Sequence, residues 1–266
     1  MLDVDFAQFT DPGNLRSHNE DYLGYAAPEP SKKSRNRSWL FALADGVGGQ
    51  DRGEVASQAA VDHLLTGFRQ ATVADPLTSL LPRLVQAANT HVFETAAAVG
   101  PGRSSMATTI VACALRFDRA VVCHAGDSRC YLIRHGQARA LTRDHTVTSE
   151  QIRLGLLTAR EASSSGSRNL LSRSLGNDMF VTVETNEHTV HKNDVLLLCS
   201  DGLHVSVKEL DIVRTLDRAA NLQAASKELV AIAKERDGRD NISVQLIRIR
   251  SVERVGMYRG QPYRLP

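Results

Sequence analysis

Four aspartates offer chemistry in this sequence, because each stands where a run of apolar residues stops or starts. Asp45 follows LFALA and precedes Gly46, Gly48 and Gly49. Asp127 follows VVCHAG, Asp201 follows VLLLCS, and Asp240 opens the last apolar segment. Taken singly, an Asp-Gly pair is an ordinary hairpin turn. Taken together, four carboxylates at strand ends predict a meeting point, since strand ends on one edge of a sheet can converge. Converging carboxylates repel unless something positive lies between them. No His or Cys stands at ligand spacing nearby, and an all-oxygen set favours Mg²⁺ or Mn²⁺ over zinc. The glycines after Asp45 would let the backbone approach closely and offer carbonyl ligands. Two such ions about 3.5–4 Å apart can bind one water, lower its pKa and aim it at phosphorus.

The segment Arg16-Ser17-His18-Asn19-Glu20-Asp21 adds an arginine four and five residues before a pair of acids. Alone it reads as a surface ion-pair loop. Beside a carboxylate–metal site, the planar guanidinium of Arg16 can hold a phosphate bidentately. Glu20 and Asp21 would then accept protons from metal-bound waters.

The elements that must position these groups follow from periodicity. Strands are predicted at 2–9, 39–44, 107–115, 120–125, 129–135, 195–200 and 242–249. Tight turns between neighbours, including Gly126-Asp127-Ser128, predict antiparallel pairing. Helices are predicted at 53–70, with Val55, Ala59, Leu64, Leu65 and Phe68 on one face, at 84–98 with Pro82 near its start, and at 208–216 and 222–236. Residues 28–38 read as an exposed basic loop, and part of 144–174 as mobile. Strands in consecutive groups with paired helices fit segregated layers better than a βαβ alternation. No linker divides the chain, so one catalytic domain over 1–250 is expected, with 251–266 as a short C-terminal extension that packs back on the fold or docks a partner.

Composition bounds the rest. The 266 residues carry 32 Lys+Arg against 30 Asp+Glu, a net charge of +2, with 42% hydrophobic and 23% charged residues. That balance lacks the basic excess of a nucleic-acid binder, and the size suffices for a core without disulfides. The four cysteines form no CxxC pair and read as buried, reduced core thiols. The acidic start MLDVDFAQF is unlike a signal peptide, and no apolar run approaches the ~20 residues of a membrane span. A cytoplasmic protein without membrane or nucleic-acid partners is expected.

Seven motifs occur in order: RSHNED at 16–21, ADGVGG at 44–49, MATTIVA at 106–112, AGDSR at 125–129, LTRDH at 141–145, CSDGL at 199–203 and DNIS at 240–243. Together they resemble the metal-dependent serine/threonine protein phosphatases (the PPM, or type 2C, family), specifically its compact bacterial members. The resemblance implies an α+β fold, a four-layer αββα sandwich of two antiparallel sheets flanked by pairs of helices. It implies a centre of two Mn²⁺ or Mg²⁺ ions, with Asp45 bridging both, the Gly46 carbonyl on one, and Asp201 and Asp240 completing the other. Asp127 would help hold a third, weaker ion together with Asp201. Glu20 would act through metal-bound water, Asp21 would orient the attacking water or hydroxide, and Arg16 would clamp the substrate phosphate. Residues 163–168 fall in the family's variable flap. Some members have His in a DGHGG motif as a proposed general acid. Here that position is Val47, so the leaving oxygen would take its proton from a metal-bound water or another group, with His18 and His145 as candidates. Ala107 stands where relatives often have Gly, a change expected to affect packing only.

The resemblance thus implies hydrolysis of phosphoserine and phosphothreonine on proteins by a monomer that opposes a separate serine/threonine kinase. Two rivals are a catalytically dead phosphoprotein-binding or kinase-scaffolding relative and a hydrolase of small phosphoesters. Retention of Asp45, Asp201, Asp240 and Arg16 speaks against the first. Comparing peptide with metabolite turnover separates the second.

Overall fold

Side-chain alternation along the strands creates two packing surfaces. In β3 (Ser38–Asp45), Leu40, Ala42 and Ala44 join a core shared with helices, while Phe41 and Leu43 join a core shared with a second sheet. All five are fully buried. A strand covered on both faces reads as a continuous apolar run, which is why LFALA shows no polar alternation. The computed structural model describes residues 2–28, 38–47, 52–72, 75–98, 106–163, 170–253, 255–258 and 261–264.

One five-stranded sheet has the order β1 (Asp3–Asp11), β10 (Ile242–Ser251), β9 (Val195–Cys199), β6 (Arg129–Arg134), β7 (Gln137–Ala140). The other has the order β2 (Asp21–Ala26), β3, β4 (Ile110–Arg116), β5 (Arg119–Ala125), β8 (Glu184–Thr189). Every pairing within them is antiparallel. The helices α1 (Gly53–Gln70) and α2 (Leu77–Ala98) cover the second sheet. Short helices α3 (Val147–Arg153), α4 (Ala159–Ser163) and α5 (Asp201–His204) precede α6 (Glu209–Arg218) and α7 (Leu222–Arg236), which cover the first sheet. The result is the expected αββα sandwich. A separate hairpin, β11 (Val255–Tyr258) with β12 (Gln261–Arg264), follows β10.

Small residues set the spacing of the first two layers, since Ala42, Ala44, Ala112 and Ala114 of the sheet share a core cluster with Ala56 and Ala60 of α1. Between the sheets the residues are larger. Phe6, Tyr25, Trp39 and Phe41 gather with ring centroids from 4.5 Å (Phe6–Tyr25) to 6.3 Å (Tyr25–Phe41) apart. This aromatic plug sits toward the end of β3 away from Asp45, so the other end of the sandwich is left to polar groups. All four cysteines are free and buried, as expected, with Cys113 and Cys130 in the core between the sheets.

Three local expectations change. The apolar face of α1 departs at one position: Leu64 and Leu65 are buried and Ala59 and Phe68 pack on the same core, but Val55 is exposed and Ala56, Ala60 and Val61 are buried instead. The sequence weights large residues, but the tight sheet contact selects small ones. Helix α2 starts at Leu77, and Pro82 lies inside it. Burial of Leu77, Leu80 and Leu81 outweighs the carbonyl that Pro82 leaves unpaired. Finally, β5 and β6 do not pair. Gly126-Asp127-Ser128 carries the chain from one sheet to the other. The basic loop at 28–38 falls largely on 29–37, outside the described residues, as do 164–168 of the flap.

Candidate metal and phosphate site

The crossing at residues 126–128 brings Asp127 to the end of the sandwich where the other carboxylates collect. Asp45 ends β3, and Asp21 opens β2 directly opposite it in the antiparallel register. Asp201 begins α5 immediately after β9 and Ser200, and Asp240 precedes β10. Since β9 and β10 are neighbours in one sheet while β2 and β3 are neighbours in the other, the cluster draws on both layers. Ser200 bridges the layers by donating its hydroxyl to Asp21 Oδ2 at 2.8 Å, while its Oγ accepts from the Ser243 N–H at 3.0 Å.

Neutral side chains fix the backbones that bear the acids. The Thr109 N–H and the Thr108 hydroxyl both donate to the Asp45 carbonyl at 2.8 Å, and the Asp45 N–H donates to Thr109 Oγ1 at 3.0 Å. Thr109 Oγ1 also meets Ser128 Oγ at 2.8 Å, which ties the Asp45 and Asp127 segments together. Asn241 organises the loop that carries Arg16 and Glu20. Its Nδ2 donates to the carbonyls of Pro12 and His18, both at 3.0 Å, and its Oδ1 accepts from the Glu20 N–H at 2.7 Å. The Gly46 N–H donates to the Glu20 carbonyl at 3.1 Å, so Glu20 and the residue after Asp45 are neighbours.

Electrostatically the cluster is a concentration of negative charge. Burial, then the charges of Asp21, Asp201, Asp127 and Asp240, push the Asp45 carboxyl well above its ordinary range. Burial, opposed by hydrogen bonds from Ser243 and Ser200, leaves Asp21 at about 7. Burial and Asp201 raise Asp127 to about 8, and burial and Asp240 raise Asp201 to about 6. Arg16 Nη2 donates to Asp240 Oδ2 at 2.9 Å at the exposed rim. A cleft of about 400 Å³ opens beside the cluster, lined by Asp127, Arg129, Asp144, Asp201, His204 and Lys208 among others.

These residues fit a divalent cation. Asp21 Oδ1 is buried with no hydrogen-bond partner among the described residues, an expensive arrangement unless another group completes it. The donors are oxygens, the set that hard cations select. The geometry therefore assembles every predicted residue at one place: Arg16, Glu20, Asp21, Asp45, Gly46, Asp127, Asp201 and Asp240. The two histidines weighed as proton donors differ. His18 is exposed, whereas His145 is fully buried with both ring nitrogens engaged behind the Gly126 turn. His145 is therefore no source of a proton for the cleft. The roles of Thr108, Thr109, Ser200 and Asn241 went unread, although all but Ser200 sit inside MATTIVA and DNIS and Ser200 opens the SDG of CSDGL.

Raised carboxylates make a stability prediction. In cation-free protein, Asp21 and Asp127 keep their protons to about pH 7 and 8, whereas an unfolded Asp releases its proton near 4. The folded state then binds more protons, so stability falls as pH rises through these values. His145 and His204 act in the opposite sense at lower pH, because burial holds both near 4 when folded against about 6.5 unfolded. Above pH 6.5 only the carboxylate effect remains. The melting temperature of chelator-treated protein is expected to fall between pH 6.5 and 8.5, and saturating Mn²⁺ to remove the decline. A flat profile with chelator would contradict the shared burial of these acids.

Comparisons with known proteins agree with this fold. The family model described as protein phosphatase 2C matches residues 16–241. Over 241 residues the chain is 32% identical to the serine/threonine phosphatase stp of Listeria innocua serovar 6a, covering 90% of this chain and 93% of that protein. The fold matches the S. agalactiae serine/threonine phosphatase with a TM-score of 0.84 at 29% identity, covering 92% of this chain and 99% of that one. It matches the catalytic domain of serine threonine protein phosphatase PstP, solved in complex with 2 manganese ions, with a TM-score of 0.78 at 30% identity, covering 94% and 100%. Among the described residues no helix is long and apolar enough to cross a membrane.

Proposed function

The chain belongs to the protein phosphatase 2C family and is a metal-dependent serine/threonine protein phosphatase; from that premise we propose which of its residues perform the hydrolysis and how. The observation that carries the assignment is the convergence of five aspartates from both sheets around the unpartnered Asp21 Oδ1. Asp45, the Gly46 carbonyl, Asp201 and Asp240 would hold two Mn²⁺ or Mg²⁺ ions, and Asp127 with Asp201 would hold a third, weaker one. When bound, such ions would supply positive charge for the phosphoryl oxygens and lower the pKa of a nearby water.

The chain's own groups do the remainder. Arg16 has five N–H donors, and Asp240 occupies one of its nitrogens, so the others are available to phosphoryl oxygens at the rim. Asp21 Oδ1 orients the attacking water and accepts its proton. Glu20, held beside Gly46 by its own carbonyl, hydrogen-bonds water at the rim. The water oxygen bonds to phosphorus, the bond to the serine or threonine oxygen breaks, and that oxygen takes a proton from water. Val47 supplies none. No side chain of the chain bonds to phosphorus, so the buried cysteines stay outside the chemistry.

The substrates are phosphorylated proteins made by a separate serine/threonine kinase, and the enzyme works as a cytoplasmic monomer. Mn²⁺-dependent release of inorganic phosphate from a phosphothreonine peptide tests the reading. Arg16→Ala is expected to lower kcat/KM about 10–100-fold, with most of the loss in KM, as for a removed phosphate contact. Faster turnover of small phosphoesters than of peptide would favour the metabolite hydrolase instead.

A further inference from the structure

Outside the aspartate cluster, His124, His145 and Glu184 place their ligating atoms within 4.8 Å of one another, the one grouping this tight found among the described residues. The rings of His124 and His145 stack with centroids 4.5 Å apart and planes 11° from parallel. This trio resembles a metal site, but its protons argue otherwise. The Gly126 N–H donates to His145 Nδ1 at 3.3 Å, and a backbone donor cannot rotate away. The ring proton of neutral His145 is therefore on Nε2, directed at Glu184 Oε2 at 3.4 Å, and leaves no lone pair for a cation there. The guanidinium of Arg173, 3.3 Å from Nε2, adds a positive charge where a cation would have to sit.

The same bonds point to another use. The His145 backbone N–H donates to the Gly126 carbonyl at 3.0 Å, so His145 grips both polar groups of one glycine. Gly126 needs that grip. Its φ is +114°, a conformation other residues rarely adopt, and a Cβ there would lie 2.6 Å from Thr109, the residue that anchors Asp45. The next residue is Asp127, whose carbonyl accepts from His204 Nε2 at 2.9 Å. We propose that His145 is a positioning residue for Asp127, its imidazole and backbone clamping the Gly126 peptide so that the Asp127 carboxylate is aimed at the weaker cation shared with Asp201. This rests on the assignment of Asp127 as a ligand of that ion. Burial, with His124 and Arg173 alongside, holds the His145 imidazole near 4, so it stays a neutral acceptor at working pH. Metal ligands aimed by such outer contacts commonly lose 10–100-fold in affinity when the contact is removed.

Two substitutions separate the two ends of the ring. Asn places an acceptor where Nδ1 stands and keeps the whole clamp; Gln places its amide near Nε2, keeps the Glu184 contact and loses the side-chain half of the clamp, leaving only the backbone N–H on the Gly126 carbonyl. Mn²⁺ binding to the full chain, followed by electron paramagnetic resonance of the free ion, is expected to show two tight ions and one weaker ion that Asp127→Asn removes. His145→Gln is expected to weaken the third ion about 10-fold or more and leave the tight ions within about 2-fold, while His145→Asn stays within about 3-fold throughout. A third ion that survives His145→Gln unchanged, or is lost equally in both variants alongside an equal drop in melting temperature, overturns the positioning role. Absence of any ion dependent on Asp127 overturns the ligand assignment first, and the positioning role with it.

Discussion

Asp45→Asn is expected to lower kcat/KM toward a phosphothreonine peptide on the order of 10³-fold or more while raising the melting temperature of the chelated protein. The two effects have one cause. Asp45 is the carboxylate on which Asp21, Asp201, Asp127 and Asp240 all act, and burial adds to their repulsion. Without a cation that repulsion destabilises the fold, and an amide of the same shape relieves it. Each kcal/mol relieved is worth roughly 2–4 °C for a domain of this size. With a cation the account reverses, because the carboxylate that would bridge both ions is gone. A 10³-fold loss corresponds to about 4 kcal/mol of transition-state stabilisation, the scale of one strong charge contact at a reacting centre. The fold itself should not suffer, since Thr108 and Thr109 hold the backbone of Asp45, not its carboxylate. Saturating Mn²⁺ should also raise the melting temperature of the wild type much more than that of the variant, because a ligand stabilises in proportion to its affinity for the folded state. Activity within about 10-fold of wild type, or an equal Mn²⁺ shift in both proteins, would remove Asp45 from the centre.

The site was far more legible than the paths that build it. Asp45, Asp127, Asp201 and Asp240 stand out only as a set, because each alone reads as a turn but four carboxylates at the ends of buried strands do not. Their convergence could be inferred from strand ends alone. Which sheet each strand joins could not. Gly126-Asp127-Ser128 has the composition of a hairpin turn, yet the chain changes layers there, because pairing is decided by which partner completes each buried face. Val55 and Pro82 misled for a related reason. Hydrophobicity ranks side chains by size and Pro marks a helix start, but the layer contact of α1 selects alanines and the core draws α2 back to Leu77. Asn241, Thr108 and Thr109 are harder still. They act through backbone groups of other residues, so their side chains have no chemistry of their own to flag them. Only their places inside motifs set them apart from ordinary polar positions.

Gly202 is the sharpest case of a residue whose sequence context suggests the wrong job. After Asp201 it reads as half of a turn, but it is the second residue of α5, and its backbone conformation is not the special one. What it provides is absence of bulk. A Cβ at residue 202 would lie 2.1 Å from the Asn241 carbonyl oxygen and 3.2 Å from Ile242 Cγ1. The carbonyl cannot swing aside, because Asn241 is fixed by its bonds to Pro12, His18 and Glu20. Gly202→Ala must therefore push the Asp201 segment away from the Asp240–Asn241 segment, and with it the loop that carries Arg16 and Glu20. Overpacking of this kind costs about 1–3 kcal/mol. A displacement near 1 Å in a catalytic constellation can cost about 10²-fold in rate. Gly202→Ala is thus expected to lower kcat/KM by about 10² or more, to weaken Mn²⁺ binding, and to lower the melting temperature by several degrees. Gly67→Ala provides the comparator, since its Cβ would meet only the tip of Leu84, at 2.7 Å, which can rotate. It should leave the activity near wild type. If Gly202→Ala loses stability but keeps its activity and Mn²⁺ affinity, then Asp201 and Asp240 are held at their spacing by something other than the contact between residues 202 and 241.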